Sequence, residues 1–484
     1  MTEQQKRAVR PDPDEVSWRG PVDASCRYPV VVFFVSAALW LLVGTVLALL
    51  ASLKMHAPEL LGDVSWLTWG RVRPAHLNTM IYGWGSMSGV GVILWLVARL
   101  CRVRCPLQLP LVVGAVLWNV GVAGGTIGLL SGGSTSVEWL EFPYPWSFLF
   151  ALVFAVVMAA TIMMFSARRV RHVYVSQWYL FGAILWFPFL YVLANSLIHG
   201  RVATGVVQAS ANWWFAHNVL GLWFTPIGLA AIYYLLPKVL GRPIHSYYLS
   251  ILGFWTLALF YNWAGTHHLV GGPIPAWLVT VGIVGSVMMF IPVTVVAINH
   301  HMTMVGNFHR LKTSPTLRFI VFGGMAYTVV SYQGSLQALR TVNEVSHFTH
   351  YTVAHAHLGV YAFFTMVMFG SVYYIAPRLL NREWFSARLI KVHFWGTAAG
   401  MALYWVSLTW GGWLQGMRMN DPDVPFLDIV DMTIPYLGAR SVAGVLMTIG
   451  HIAFLVLAWR MFTLRGAELR GPTLLRVEEE GGTP

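Results

Sequence analysis

The chain alternates long apolar runs with short polar loops. Twelve runs reach the roughly 20 residues that an α-helix needs to cross the hydrocarbon core of a bilayer. They lie near residues 29–52, 76–100, 107–130, 144–166, 175–198, 213–236, 245–266, 275–299, 315–337, 352–376, 389–412 and 438–461. This pattern predicts an all-α integral membrane protein with about twelve transmembrane helices. Residues 1–28 are polar, carry Pro11 and Pro13, and have no cleavable signal-peptide pattern. They are expected to form an N-terminal cytoplasmic segment, followed by one membrane domain over 29–463 and a charged, frayed cytoplasmic tail over 464–484. The sequence shows no second domain and no internal repeat.

Composition fits lipid rather than water as the solvent. Of 484 residues, 57% are hydrophobic and only 10% charged, against about 25% charged in a soluble domain. The net charge of +12 raises the possibility of nucleic acid. It is excluded because the basic residues sit in short loops between apolar runs and form no continuous stripe. Their distribution sets an orientation instead. The loops after spans 2, 4, 6, 8 and 10 carry Arg99, Arg102 and Arg104; Arg168, Arg169 and Arg171; Lys238 and Arg242; Arg310 and Lys312; and Arg378, Arg382 and Arg388. The loop after span 7 has no Lys or Arg, and the loop after span 11 is acidic, with Asp421, Asp423, Asp428 and Asp431. Both termini are therefore expected on the cytoplasmic side. Cys26, Cys101 and Cys105 form no heme-attachment, zinc or thiolate-copper pattern.

The candidate chemistry lies in the histidines. His76 opens span 2, His217 lies in the first turns of span 6, His267 and His268 close span 7, and His355 and His357 open span 10. With the orientation above, all six fall at one depth in the outer part of the bilayer. A lone histidine in a membrane span is more often a hydrogen-bonded packing residue. Six converging at one depth point to metal ligation, because imidazole in lipid is costly unless paired or ligated. In the His355-Ala356-His357 triplet, residues i and i+2 point about 200° apart on a helix, so the two serve different cofactors. His217, His267 and His268 can share one metal with an open position, which suits copper or iron. His76 can pair with one span-10 histidine on a closed heme, leaving the other to hold an open one.

These residues carry a specific resemblance. The runs NWWFAHNVLGLWFTPIGLAAIYYLLPK, HSYYLSILGFWTLALFYNWAGTHHL and VNEVSHFTHYTVAHAHLG are similar to subunit I of the heme–copper oxidases. Within that group they resemble the C-family, the cbb-type cytochrome c oxidases, from about Arg71 to Arg440. The resemblance implies the heme–copper oxidase subunit I fold in a bacterial cytoplasmic (inner) membrane. It implies two heme b groups, one low-spin on His76 and His357 and one high-spin on His355, and copper B on His217, His267 and His268. It makes Tyr261 the tyrosine crosslinked to His217, able to supply an electron and a proton to dioxygen. It implies a single proton path, for which Tyr247 and Ser250 lie 14 and 11 residues before Tyr261, close to whole helical turns, with Tyr327 joining from span 9. Hydroxyls bonded within their own helices are the plain alternative. Arg73 and His347 match residues near the heme propionates. Glu141 matches a position where calcium bridges to a partner subunit, although a solvated loop carboxylate reads almost as well.

The implied function is a terminal oxidase reducing dioxygen to water, coupled to proton uptake and translocation. With no c-type heme motif and no copper A cysteines, electrons are expected from membrane-anchored cytochrome c subunits, and ultimately from cytochrome c or another donor. Departures exist. Gln333, in Tyr332-Gln333-Gly334-Ser335, stands where the C-family has glutamate beside the high-spin heme, and His350 replaces a usual aspartate. The starts of spans 2 and 10 lean toward the nitric oxide reductases, the main alternative, which hold non-heme iron, lack the tyrosine and add a carboxylate near the span-6 histidine. Here His217 is followed by Asn218, Val219, Leu220, Gly221 and Leu222, with no carboxylate.

Overall fold

Helices occupy all twelve apolar runs. In the computed structural model, which describes residues 18–463, they are α1 (Arg19–Leu53), α2 (Trp69–Cys101), α3 (Gln108–Leu130), α4 (Tyr144–Ser166), α5 (Val175–His199), α6 (Gly205–Leu240), α7 (Tyr247–Tyr261), α8 (Ala276–Met304), α9 (Pro315–Gln337), α10 (His350–Leu380), α11 (Ala387–Met419) and α12 (Phe426–Thr463). Residues 1–17 and the expected tail 464–484 lie outside the described residues. Nine of the described helices are long and apolar enough to cross a membrane on those grounds alone. The other three have identifiable reasons. The α7 helix is short because the chain tightens into a 3₁₀ turn at Ala264–Leu269. The α9 and α11 helices spend part of their length on inward polar residues, including Tyr327, Gln333 and Gln337 in α9 and His393 and Thr397 in α11.

The first helix starts ten residues before its apolar run, at Arg19. Its early polar residues are matched by neighbours rather than by water. Asp23 pairs with Arg99 at 3.2 Å and accepts from Trp95 Nε1 at 3.0 Å, and Arg27 Nε donates to the Leu379 carbonyl at 2.6 Å.

Burial separates a core from a periphery. The apolar windows of α2, α6 and α10 are 94%, 89% and 83% buried, whereas those of the other six candidate spans are 39–56% buried. Lipid is the natural cover for the exposed Leu, Val, Ile, Phe and Trp of the outer helices.

The three core helices share a local plan, although no repeat is apparent in their sequences. Each carries a candidate histidine in the turn before its winding changes: His76, His217 and the His355/His357 pair. Each then widens into a π-helical segment, at Thr79–Ser86, Leu220–Phe224 and Leu358–Thr365. Each resumes as an α-helix and ends on a left-handed residue: Arg102 (φ 56°), Gly241 (φ 65°) and Asn381 (φ 52°). A π segment inserts extra backbone and re-aims the side chains beside it, a device common at functional sites. It leaves no hydropathy signal, which is why the repetition is invisible in the amino-acid pattern.

Candidate metal centre

His217, His267 and His268 converge. One ring nitrogen from each lies within 4.8 Å of the other two. The ring centroids of His217 stand 4.8 Å from His267 and 5.5 Å from His268. The 3₁₀ turn after α7 makes this possible: it ends the α-helix and brings the segment with the two adjacent histidines against α6. Gly265 lets the turn press against α6, since a Cβ there would meet the Trp213 carbonyl at 2.5 Å.

The neighbours orient these rings. His267 Nδ1 is 2.7 Å from Ser286 Oγ, and that hydroxyl is 2.7 Å from the Gly282 carbonyl. The hydroxyl has one proton and gives it to the carbonyl, so it accepts from Nδ1–H. The lone pair of His267 therefore sits on Nε2, available to a metal. The indole of Trp213 stacks on His268 at 4.2 Å and 17°. His217 Nδ1 is buried without a partner, a lone pair or proton that a ligand would satisfy.

Tyr261 packs on the same cluster. Its ring lies 4.4 Å from that of His217, inclined by 23°. Room for it comes from Gly221, one turn after His217, where a Cβ would overlap the phenol ring. Gly221→Ala is therefore expected to displace Tyr261 and destabilise the fold by about 1–3 kcal/mol. A thermal unfolding scan checks the second effect, and a structure of the variant checks the first.

His355 faces His217, His267 and Tyr261 across a shared cavity, whose other walls include Phe224, Val330, Val360, Phe363 and Phe364. His355 Nδ1 is also buried without a partner. The backbone of Gly334 closes on this ring, since a Cβ there would stand 2.8 Å from His355 Cε1. Beside it, Gln333 is 8% exposed. Its Oε1 accepts from Trp405 Nε1 at 3.1 Å, and its Nε2 has no partner.

His357 takes the opposite side of α10. Its ring packs 4.7 Å from Tyr404 of α11, and its Nδ1 is 2.9 Å from the Val353 carbonyl. His76 Nδ1 is likewise 2.9 Å from the Gly44 carbonyl. A carbonyl only accepts, so both rings carry hydrogen on Nδ1 and present Nε2 as a lone pair. This arrangement suits axial heme ligation. Arg440 lies near His76, His357 and Tyr404, and its Nε is buried without a partner. An acceptor placed beside it would satisfy that N–H. Nothing in the sequence pattern around Arg440 marks it for this place.

The remaining candidates divide. Arg73 holds Glu138 at 2.7 Å and Glu141 at 3.6 Å, so Glu138 belongs to the cluster although no motif points to it. Glu141 is 4% exposed rather than solvated, and accepts from Asn78 Nδ2 at 2.8 Å. Burial pushes its carboxyl up to about 7, against the opposing pull of Asn78 and Arg73. His347 lies beside the His268 and Val270 backbone and stacks on Phe348 at 3.9 Å. The backbone N–H of His350 donates to Gln415 Oε1 at 3.0 Å.

Among the hydroxyls, Ser250 and Tyr327 are buried. Ser250 donates to the Ser246 carbonyl at 3.0 Å and accepts from Asn299 Nδ2 at 2.9 Å. Asn299 and Tyr233, which lies beside Ser250 and Asn299, carry no signal in the sequence because neither shares a helix with Ser250. The Tyr327 hydroxyl is unpartnered and lies near both Tyr233 and Tyr261. Tyr247 departs from this file, because its hydroxyl donates to the Val173 carbonyl at 2.6 Å, near the start of α5. The three cysteines are buried and free.

Known proteins resemble this chain in sequence and in fold. The chain matches the family described as Cytochrome C and Quinol oxidase polypeptide I over residues 28–446. It is 31% identical over 446 residues to the cbb3-type cytochrome c oxidase subunit CcoN1 of Stutzerimonas stutzeri, covering 88% of this chain and 93% of that one. It is 30% identical over 462 residues to the bacteroid cytochrome c oxidase subunit 1 homolog of Bradyrhizobium diazoefficiens, covering 92% and 83%. A nitric oxide reductase chain of Stutzerimonas stutzeri is 27% identical over 260 residues, covering 50% of this chain and 54% of that one. In fold, it superposes on a heme-copper terminal oxidase dimer solved by cryo-EM with a TM-score of 0.75 at 14% identity, covering 92% of this chain and 85% of that one. A cluster of convergent histidines, a twelve-helix membrane fold and a match over most of the chain lead to one conclusion: this protein belongs to the cytochrome c and quinol oxidase polypeptide I family and is a membrane-embedded oxidoreductase of the heme–copper type.

Proposed function

We propose that the chain is the catalytic subunit of a terminal respiratory oxidase that reduces dioxygen to water with electrons from cytochrome c, coupled to proton uptake and translocation. The packing of Tyr261 on His217, with Gly221 in place of a carboxylate one turn on, carries this reading. A carboxylate at position 221 would need the space the phenol ring fills. This argues against the non-heme iron site of a nitric oxide reductase, the reading that the shorter match to a chain of such an enzyme keeps in play.

His76 and His357 would hold a low-spin heme b through Nε2, His355 a high-spin heme b, and His217, His267 and His268 copper B. When bound, these groups supply dioxygen binding and electron storage. The chain's own residues do the rest. Ser286 fixes the tautomer of His267. The aromatic and aliphatic walls around His355 keep bulk water from the cavity. Tyr261 offers a proton from its hydroxyl inside that cavity. Ser250, Asn299, Tyr233 and Tyr327 offer a file of polar groups leading toward Tyr261, with Tyr247 at its cytoplasmic end. Its hydroxyl must leave Val173 to join.

The Lys/Arg-rich loops favour an orientation with both termini in the cytoplasm of a bacterial inner membrane and the histidines toward the opposite face. Membrane-anchored cytochrome c subunits would dock on that face, where the acidic stretch from Gly416 to Asp431 offers one surface. Carbon monoxide tests the core of this reading. The reduced complex should show one b heme that binds CO and one that does not. A complex with no CO-binding heme would contradict it.

The pair Glu138 and Glu141 is proposed to hold calcium next to Arg73, since a hard cation prefers carboxylate oxygens and would offset the burial of Glu141. Calcium at a hundred times its Kd should stabilise the protein by about 2.7 kcal/mol. Glu141→Gln should abolish the effect, as thermal unfolding with calcium or with chelator would show.

A further inference from the structure

Three buried histidines lie outside the candidate ligand set: His300, His393 and His451. They differ in their partners. His300 has neither ring nitrogen bonded, His393 has only Nδ1 bonded, and His451 has both engaged.

His451, in α12, is 4% exposed. Its Nδ1 is 2.8 Å from Thr45 Oγ1 in α1, and its Nε2 is 2.7 Å from the Tyr361 hydroxyl in α10. The proton positions follow by elimination. Thr45 Oγ1 also lies 2.6 Å from the Leu41 carbonyl, and a carbonyl only accepts. The single hydroxyl proton of Thr45 goes there, so Thr45 accepts from His451 Nδ1–H. A neutral imidazole then accepts at Nε2 from the Tyr361 O–H. The result is a directed chain from Tyr361 through His451 and Thr45 to Leu41, tying three helices together.

Both ends of this chain adjoin a candidate axial ligand of the closed heme. Thr45 follows Gly44, whose carbonyl accepts Nδ1–H of His76 at 2.9 Å. There α1 and α2 touch so closely that a Cβ on Gly44 would overlap Met80 Sδ, so any shift of α1 carries the carbonyl relative to the His76 ring. Tyr361 lies one turn after His357, inside the π segment Leu358–Thr365, where i→i+5 hydrogen bonds replace the regular α-helical ladder.

We propose that His451 is a positioning residue for the closed heme, locking the Gly44 carbonyl on one side and the π segment below His357 on the other so that both axial imidazoles keep their orientation. The proposal rests on assigning His76 and His357 to one heme. A hydrogen bond from Nδ1–H governs how strongly an imidazole donates to its metal, so loosening the lock changes the heme's electronic structure, not only its retention.

The test uses the intact complex carrying His451→Leu, His451→Gln or Thr45→Val. The readouts are the electron paramagnetic resonance g-values of the low-spin heme and the midpoint potentials of both hemes. His451→Leu should shift the g-values and the potential of the low-spin heme and leave the potential of the CO-binding heme in place. His451→Gln should return both toward wild type, because its amide can donate to Thr45 and accept from Tyr361 as the imidazole does. Thr45→Val, which keeps the shape but removes the acceptor, should shift the low-spin heme in the same direction by less, and it serves if the leucine variant does not assemble. Wild-type g-values and potential in His451→Leu or in Thr45→Val overturn the proposal. So does an equal shift at both hemes, the mark of general loosening. If His357→Leu keeps an intact low-spin spectrum, the ligand assignment itself fails, and that outcome is distinct from the other two.

Discussion

Tyr261→Phe should all but eliminate dioxygen reduction while leaving the cofactors in place. The ring that packs on His217 at 4.4 Å stays the same size, so the space opposite Gly221 remains filled and the fold is unperturbed. The hydroxyl is lost, together with any crosslink to His217 that needs the phenol, and with it the proposed source of a proton and an electron inside a water-poor cavity. A positioned proton donor typically contributes about 10²–10⁴-fold, and loss of its electron adds to this. Turnover by oxygen electrode should therefore fall by at least about 10²-fold, with an unchanged reduced heme spectrum and unchanged metal content. Turnover within a few-fold of wild type would make Tyr261 an ordinary packing residue.

The second large effect divides two histidines that are two residues apart. His357→Leu should abolish the spectrum of the six-coordinate low-spin heme yet preserve CO binding, whereas His355→Leu should abolish CO binding yet preserve the low-spin spectrum. The structure puts His355 in the cavity with His217 and Tyr261 and His357 against Tyr404 of α11. A complete loss of one heme signature in each variant is expected, read by visible spectra of reduced and CO-treated complex. If both substitutions remove the same signature, the two side chains serve one cofactor and the division is wrong.

Much of this organisation is legible in the sequence. Run length predicts the twelve helices because lipid leaves the backbone few other solutions. The His-x-His division needs only the helical angle per residue. The three-histidine cluster needs the break after Tyr261, which Gly265 hints at. What stays hidden depends on contacts between distant segments. Ser286 acquires its role only because the 3₁₀ turn brings His267 to it across nineteen positions. Glu138, Asn299 and Arg440 sit in stretches with no motif, and Tyr233, although inside the run 212–238, is marked by nothing until α7 and α8 are placed beside it. Gly221 reads as one more small residue of a membrane helix until the Tyr261 ring is placed on it. The Tyr247 hydroxyl turns toward Val173, a choice made by the neighbouring helix start and not by helical periodicity. The π segments are hidden for a further reason: they change backbone winding without changing which residues are apolar.

The cluster of His217, His267 and His268 is proposed to hold copper opposite an open heme. Elemental analysis of the purified complex, with any c-type heme iron in partner subunits subtracted, tests it most directly. One copper for every two b hemes is expected. A third, non-heme iron with no copper would contradict it and turn the site into that of a nitric oxide reductase.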